Sequence, residues 1–311
     1  MTTLTIVVPC HNEEAVLPET SQRLLTLLGA LHEQGKVAAD SHVVFVDDGS
    51  HDSTWTLIED LAAREPRIRG LKLSRNYGHQ NALLAGLMTV EGDAVISVDA
   101  DLQDDLSVIE EMVSTYDKGT DIVYGVRSTR DVDSLFKRLS AVMYYKLLNW
   151  MGVDVVFNHA DYRLLSRRSL EALKEYSEVN LFLRGLIPTL GFPSSIVSYE
   201  RHERFAGESK YPLHKMLGLA IDGVTSFSAF PLRLIAGLGV FVFLISMGFS
   251  VWVLWTRVFT DNAVPGWASS VLPMYLLGGI QLFSIGVLGE YISKVYMETK
   301  RRPRFIIEKS V

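Results

Sequence analysis

Through the first 130 residues, short runs of β-branched and apolar residues alternate with stretches of helical spacing. Leu4–Val8, His42–Val46, Ile68–Leu73, Ala94–Val98 and Asp121–Gly125 read as strands, and Glu14–Leu31 and Ser53–Arg64 as helices between them. This alternation predicts a mostly parallel sheet with helices on both faces, an α/β fold. In such folds ligands bind beyond the carboxyl ends of the strands, so polar residues that end a strand are the ones to inspect. Further along, Ser134–Trp150 and Leu213–Phe230 carry apolar residues at helical spacing with interspersed cations. Either could lie against a membrane surface or be an ordinary surface helix.

No Asp, Glu, Lys, Arg or His occurs from Leu234 to Thr256 or from Asn262 to Gly289. Each run reaches the roughly 20 residues that a helix needs to cross a bilayer core. The expectation is therefore two transmembrane helices, beginning near Pro231 and Pro273, with buried core helices as the alternative. Cations flank the pair: Lys210, Lys215 and Arg233 before it, and Lys294, Lys300, Arg301, Arg302, Arg304 and Lys309 after it. The positive-inside rule then places both termini in the cytoplasm and the chain in the inner (plasma) membrane as a multi-pass protein. The expected domains are 1–230 as a cytosolic catalytic-sized unit, 231–295 as a two-helix membrane hairpin and 296–311 as a basic tail.

Composition narrows the class. Thirty Lys and Arg against 36 Asp and Glu leave a net charge of −6, which gives no support to nucleic-acid binding. With 48% hydrophobic and 21% charged residues among 311, and a mean hydropathy of +0.18, the chain is too apolar to be disordered. A lone cysteine, Cys10, excludes an internal disulfide framework and a Cys-based zinc site.

Four predicted strand ends carry polar clusters. Pro9-Cys10-His11-Asn12-Glu13-Glu14 ends the first and is also what a helix N-terminus with early acids looks like. Asp47-Asp48-Gly49-Ser50 closes the second, with carboxylates able to accept hydrogen bonds from hydroxyl or imide donors; an Asx-turn is the plainer reading. Ser74-Arg75-Asn76-Tyr77-Gly78-His79 follows the third. Asp99-Ala100-Asp101-Leu102-Gln103-Asp104 follows the fourth, and strand alternation puts Asp99, Asp101 and Gln103 on one side. Three oxygen ligands on one edge suit Mg²⁺ or Mn²⁺ completed by substrate phosphates; an acidic helix cap is the alternative. Downstream, Arg127, Arg130, Lys137 and Arg138 form a set of cations suited to phosphate. Asp161 is an isolated acid with Arg163 and Arg167 as candidate ion-pair partners. The stretch Arg204 to Tyr211 is polar, contains Gly207 and has cationic ends, as a loop that closes on an anion would.

Together these segments resemble the bacterial polyprenyl-phosphate glycosyltransferases of the GT-A type, family 2, relatives of dolichol-phosphate mannose synthase. The resemblance rests on PCHNEE, FVDDGS, SRNYGHQ, DADLQD, VYGVR, ADYRLLSRR, RFAGESKYPL, FSAFPLRL and LGEYISKVY, which span nearly the whole chain. It is strongest to the branch that places glucose on undecaprenyl phosphate. The resemblance implies a GT-A (Rossmann-like) domain with membrane-proximal amphipathic helices at 134–150 and 213–230. It also implies inverting, metal-dependent transfer of a hexose, above all glucose from UDP-glucose, to the lipid phosphate, for cell-envelope polysaccharide glycosylation. It assigns Pro9, Asn12, Glu13, Asp47, Asp48, Arg75 and His79 to the nucleotide, and Asp99, Asp101 and Gln103 to Mg²⁺ or Mn²⁺. Arg127, Arg138, Arg204, Ser209 and Lys210 fall to the acceptor phosphate, and Asp161 to catalysis, as base or as positioning group. A homo-oligomer, plausibly a tetramer, is implied as well. Asp104-Asp105-Leu106 departs from the proline that many members have after the metal motif. Donors carrying N-acetylglucosamine, galactose or aminoarabinose remain alternatives, as does a processive polysaccharide synthase, although the chain has no Gln-x-x-Arg-Trp motif. A structural membrane partner with a dead transferase domain is the non-enzymatic alternative, against which the intact acids and cations argue.

Overall fold

The computed structural model describes residues 1–127, 159–179, 181–200, 230–259 and 267–311. Arg138, Arg204, Ser209 and Lys210, the helix expected at 134–150 and all but Phe230 of the helix expected at 213–230 lie outside the described residues. The chain begins β1 (Leu4–Cys10), α1 (Leu17–Glu33), β2 (His42–Asp47), α2 (Thr54–Arg64), β3 (Ile68–Leu73), α3 (His79–Thr89), β4 (Ala94–Ser97), α4 (Val108–Asp117) and β5 (Ile122–Arg127). The later described elements are β6 (His159–Ser166), α5 (Arg167–Lys174), α6 (Leu183–Thr189), β7 (Ser194–Tyr199), α7 (Phe230–Phe259), α8 (Trp267–Thr299) and β8 (Ile307–Ser310).

The eight described strands form one sheet in the order β7-β5-β6-β4-β1-β2-β3-β8. The β1–β2, β1–β4, β2–β3 and β5–β7 ladders are parallel, whereas β6 and β8 run antiparallel to their neighbours. Alternation along β1 divides the core. Leu4, Ile6 and Val8 pack on one face with Leu24 and Leu28 of α1, Ile58 of α2 and Met112 of α4. Val7 joins the other face with Leu83, Leu84 and Leu87 of α3 and Leu186 of α6. Because both faces are covered, the central strands are buried throughout and read as continuous apolar runs. Helix α3 lies close on the sheet at Gly86, where a Cβ would come within 2.3 Å of Val7 Cγ1.

Two expectations are corrected here. The apolar runs do form helices, α7 of 30 residues and α8 of 33, yet among the described residues no helix is long and apolar enough to cross a membrane. Past Gly289, α8 carries Glu290, Lys294 and Glu298. The two transmembrane helices are therefore not upheld, and neither is the multi-pass inner-membrane placement inferred from them. What the two helices do present is exposed apolar side chains, among them Phe241, Trp252, Trp255, Phe283, Ile285 and Ile292.

The segment after α8, expected as a basic tail, instead returns to the sheet. Residues Ile307–Ser310 form β8 against β3, and Gly70 and Val311 exchange both backbone hydrogen bonds at 2.8 and 3.0 Å. Glu298 accepts from the Val179 amide at 2.8 Å, and Arg304 donates to the Tyr176 carbonyl at 2.8 Å, so the end of α8 is tied to the α/β unit as well. Deleting residues 306–311 should uncover the β3 edge and cost about 2–4 kcal/mol in lost ladder bonds, at roughly 1 kcal/mol each. Thermal denaturation with light scattering would check this; an unchanged melting temperature and no added aggregation would contradict it.

Candidate active site

The sheet topology gathers the polar clusters. Strands β1, β2, β4, β5 and β7 all end at one edge, and antiparallel β6 begins there. The β4–β6 register pairs Ser97 with Arg163, and continuing it brings Asp161 level with Asp99. Helix α3 starts at the same edge and inserts His79 between them: His79 Nε2 lies 3.6 Å from both Asp99 Oδ1 and Asp161 Oδ2.

On the β1–β2 side, loops brace one another. Pro9 is buried near the end of β1. Asn12, with φ +55°, donates its amide to Ser50 Oγ at 2.9 Å and accepts from the His51 amide at 2.9 Å. The Glu13 amide donates to Thr54 Oγ1 at 2.9 Å. Asp47 is fully buried and accepts from the Ser50 amide at 3.3 Å. Asp48 accepts from the amides of Tyr77 (2.7 Å) and Gly78 (2.9 Å), which fixes the loop between β3 and α3. Burial raises both carboxyls above their ordinary range, against the hydrogen bonds that favour ionisation. Gly49, at φ +63°, lets the two loops touch, because a Cβ there would lie 2.5 Å from the Arg75 carbonyl carbon. Arg75 itself stacks over Tyr77 at 4.1 Å. The loops after β1, β2 and β3 thus lie side by side with Asp48 as their internal brace, whereas His79, also expected at the nucleotide, stands between Asp99 and Asp161.

The Asp99–Asp101–Gln103 run forms the centre. Asp101 accepts from the Gln103 amide at 3.2 Å, and Leu102 takes φ +57°, so the chain turns sharply inside the motif. The Asp99 side chain is 35% exposed and Asp101 nearly buried. Burial lifts the Asp99 carboxyl to about 6, opposed by His79 and reinforced by Asp104, Asp161 and Asp101. Among the described residues no three His, Cys, Asp or Glu side chains stand close enough to hold a metal by themselves. An all-oxygen set of one or two carboxylates with Gln103 still fits a Mg²⁺ or Mn²⁺ ion whose shell is completed by water and a diphosphate.

Asp161 is a buried acid ringed by basic side chains. It pairs with the fully buried Arg163, and Arg184 binds it in a bidentate fashion, Nη2 to Oδ2 at 3.1 Å and Nε to Oδ1 at 3.4 Å. Burial alone would raise its pKa, but Arg184, His79 and Arg163 hold it well below the usual carboxylate range. In His79 burial is likewise overruled: the contact with Asp161 and the charges of Asp99 and Asp161 raise it to about 9. Arg127, expected at the acceptor phosphate, donates to Asp104 Oδ1 (3.3 Å) and to the Tyr199 hydroxyl (3.2 Å), while that hydroxyl donates to Asp104.

Sequence reasoning had named Arg163 and Arg167 as candidate partners of Asp161. Arg163 is one; Arg167 bonds the carbonyls of Val90 and Gly92 instead. Arg184, Asp104 and Tyr199 were not singled out for the site. Asp161 and Arg163 share a face once 159–166 is read as a strand, but nothing in sequence spacing ties Arg184 to either.

Comparison with known proteins agrees with this geometry. The Glycosyl transferase family 2 model matches residues 5–174, and a model described as the GtrB C-terminal hairpin matches 230–295. The chain is 48% identical over 307 residues to glycosyltransferase YkoT of Bacillus subtilis (strain 168), covering 98% of this chain and 91% of that protein. It is 40% identical over 306 residues to the bactoprenol glucosyl transferase of Shigella phage SfX, covering 98% of each. Among solved structures, glucosyl-3-phosphoglycerate synthase from Mycobacterium tuberculosis, in complex with Mn²⁺, UDP and phosphoglyceric acid, is 18% identical with a TM-score of 0.46, over 72% of this chain and 76% of that one. The match of the family model to more than half of the chain, on a GT-A sheet whose strand ends carry the Asp-x-Asp run, places this protein in glycosyl transferase family 2.

Proposed function

We propose that this enzyme transfers glucose from UDP-glucose to a polyprenyl phosphate, forming a lipid-linked sugar phosphate for cell-envelope glycosylation. The end-to-end match to a bactoprenol glucosyl transferase carries this reading. The exposed apolar side chains of α7 and α8 support it by offering a surface that can lie against the acceptor's lipid environment. The homo-oligomer belongs to the same proposal.

In this mechanism an oxygen of the lipid phosphate attacks the anomeric carbon. The bond from that carbon to the UDP oxygen breaks, the electron pair leaves with UDP, and the anomeric centre inverts. Asp99, Asp101 and Gln103 would hold Mg²⁺ or Mn²⁺, which supplies Lewis-acid stabilisation to the charge growing on the diphosphate. The nucleotide would lie along the wall built from Pro9, Asn12, Glu13, Asp47, Asp48 and Arg75. The phosphate acceptor is already largely anionic at neutral pH, since phosphomonoester second pKa values lie near 6, and it needs little help in losing a proton. Asp161, with Arg163, Arg184 and His79 around its oxygens, therefore acts by positioning these cations around the reacting phosphates. Arg127 would meet the acceptor phosphate, together with Arg138, Arg204, Ser209 and Lys210.

The test is transfer from labelled UDP-glucose, UDP-galactose, UDP-N-acetylglucosamine and a UDP-aminoarabinose donor to undecaprenyl phosphate in detergent, with and without chelator. Label should enter the organic phase from UDP-glucose and disappear with chelator. Absence of lipid-linked product from every donor, with folded protein, would overturn the reading.

A further inference from the structure

We infer that Arg184 is a phosphate-binding cation of this active site, held on Asp161 until an anionic substrate phosphate takes its guanidinium. This rests on the function proposed above and adds a residue to it. Three observations carry it. The first is placement. The start of α6 is fixed to two other elements, since the Leu183 amide donates to Gln80 Oε1 of α3 at 3.0 Å and Arg163 Nη1 of β6 reaches the Leu183 carbonyl at 3.5 Å. Arg184 is thereby aimed at the Asp99–His79–Asp161 cluster from a rigid base.

Charge is the second. Two guanidiniums, those of Arg163 and Arg184, meet the single carboxylate of Asp161, with His79 beside them, so more than one permanent cation is gathered on one acid. Exposure is the third. The Arg163 side chain is wholly buried and neutralises Asp161 from beneath, whereas Arg184 is 32% exposed. Arg184 can therefore turn to a ligand without leaving Asp161 uncompensated. Its planar fork, already making two parallel contacts to a carboxylate, matches two phosphate oxygens equally well.

The phosphate could be the donor's diphosphate or the lipid monoester, and the experiment separates them. Full-length wild type, Arg184→Gln and Arg184→Lys would be titrated in detergent with UDP plus Mg²⁺ by calorimetry, and separately with undecaprenyl phosphate by tryptophan fluorescence. Arg184→Gln should weaken one of these by about tenfold or more, as expected for a charge-assisted hydrogen bond, and Arg184→Lys should recover part of it. Weakening of UDP alone assigns the diphosphate; weakening of the lipid alone assigns the acceptor. If both constants stay within twofold of wild type, or if wild type binds neither probe, the inference is overturned, whatever happens to turnover or melting temperature. Wild type that forms lipid-linked product while Arg184→Gln binds normally sinks this inference alone. Wild type that forms none, with Arg184-dependent UDP binding, sinks the proposed function alone.

Discussion

Asp161→Asn is expected to lower kcat for lipid-linked glucose formation by about 10²–10³-fold and to destabilise the protein by about 3–5 kcal/mol. The two effects have one origin. Arg163 is wholly buried, and its ion pair is with Asp161; a neutral amide would leave that guanidinium without its counter-charge, which is the costly way to break a buried pair. The same substitution loosens Arg184 and His79, and cations displaced by about an ångström forfeit much of the electrostatic stabilisation they give. Urea denaturation and steady-state transfer assays measure the two quantities. A variant within 1 kcal/mol of wild type and within tenfold in kcat would show that the network has neither role.

Gly49→Ala should cost about 2–5 kcal/mol and weaken UDP binding at least tenfold. The residue has φ +63°, where a side chain costs about 1–2 kcal/mol, and its Cβ would fall 2.5 Å from the Arg75 carbonyl carbon and 2.6 Å from the Asn76 nitrogen. Both obstacles are backbone, so the loop after β3 must move. That loop is gripped by Asp48 through the Tyr77 and Gly78 amides, and a shift would break both bonds in the wall proposed to hold the nucleotide. Gly29→Ala on α1, where nothing lies within 4 Å of the added carbon, serves as the control and should leave stability unchanged or slightly raised. Calorimetric titration with UDP and thermal denaturation check the pair; equal UDP affinity in Gly49→Ala and wild type would contradict the argument.

The first five strands were legible because most of their positions are buried and carry β-branched or other apolar residues, with the polar ones few or at the ends. The expected Ile68–Leu73 is β3 itself, and the expected Leu4–Val8 and His42–Val46 differ from β1 and β2 only at their ends. Strands β6, β7 and β8 were missed for the opposite reason. β6 carries Asp161 and Arg163 in its interior, a pattern that looks unfit for a core until the two neutralise each other. β7 sits at a sheet edge with alternate positions exposed, and all four residues of β8 are exposed. The apolar runs near the end of the chain were read correctly as helices and incorrectly as transmembrane spans. In the site, clusters that end a strand could be found from local sequence. Arg184 and Tyr199 could not, because their partners lie 23 and 95 residues away and meet them only through sheet order.

The placement of β8 has a consequence for how the chain is made. Its partner β3 is completed early, and about 230 residues, including α7 and α8, must emerge before Ile307–Ser310 can pair with it. At typical rates of synthesis that is a delay on the order of 10–50 s. During that interval the nascent sheet exposes the unpaired backbone of β3, so the ribosome-bound intermediate, rather than the finished enzyme, is the form most in need of a chaperone.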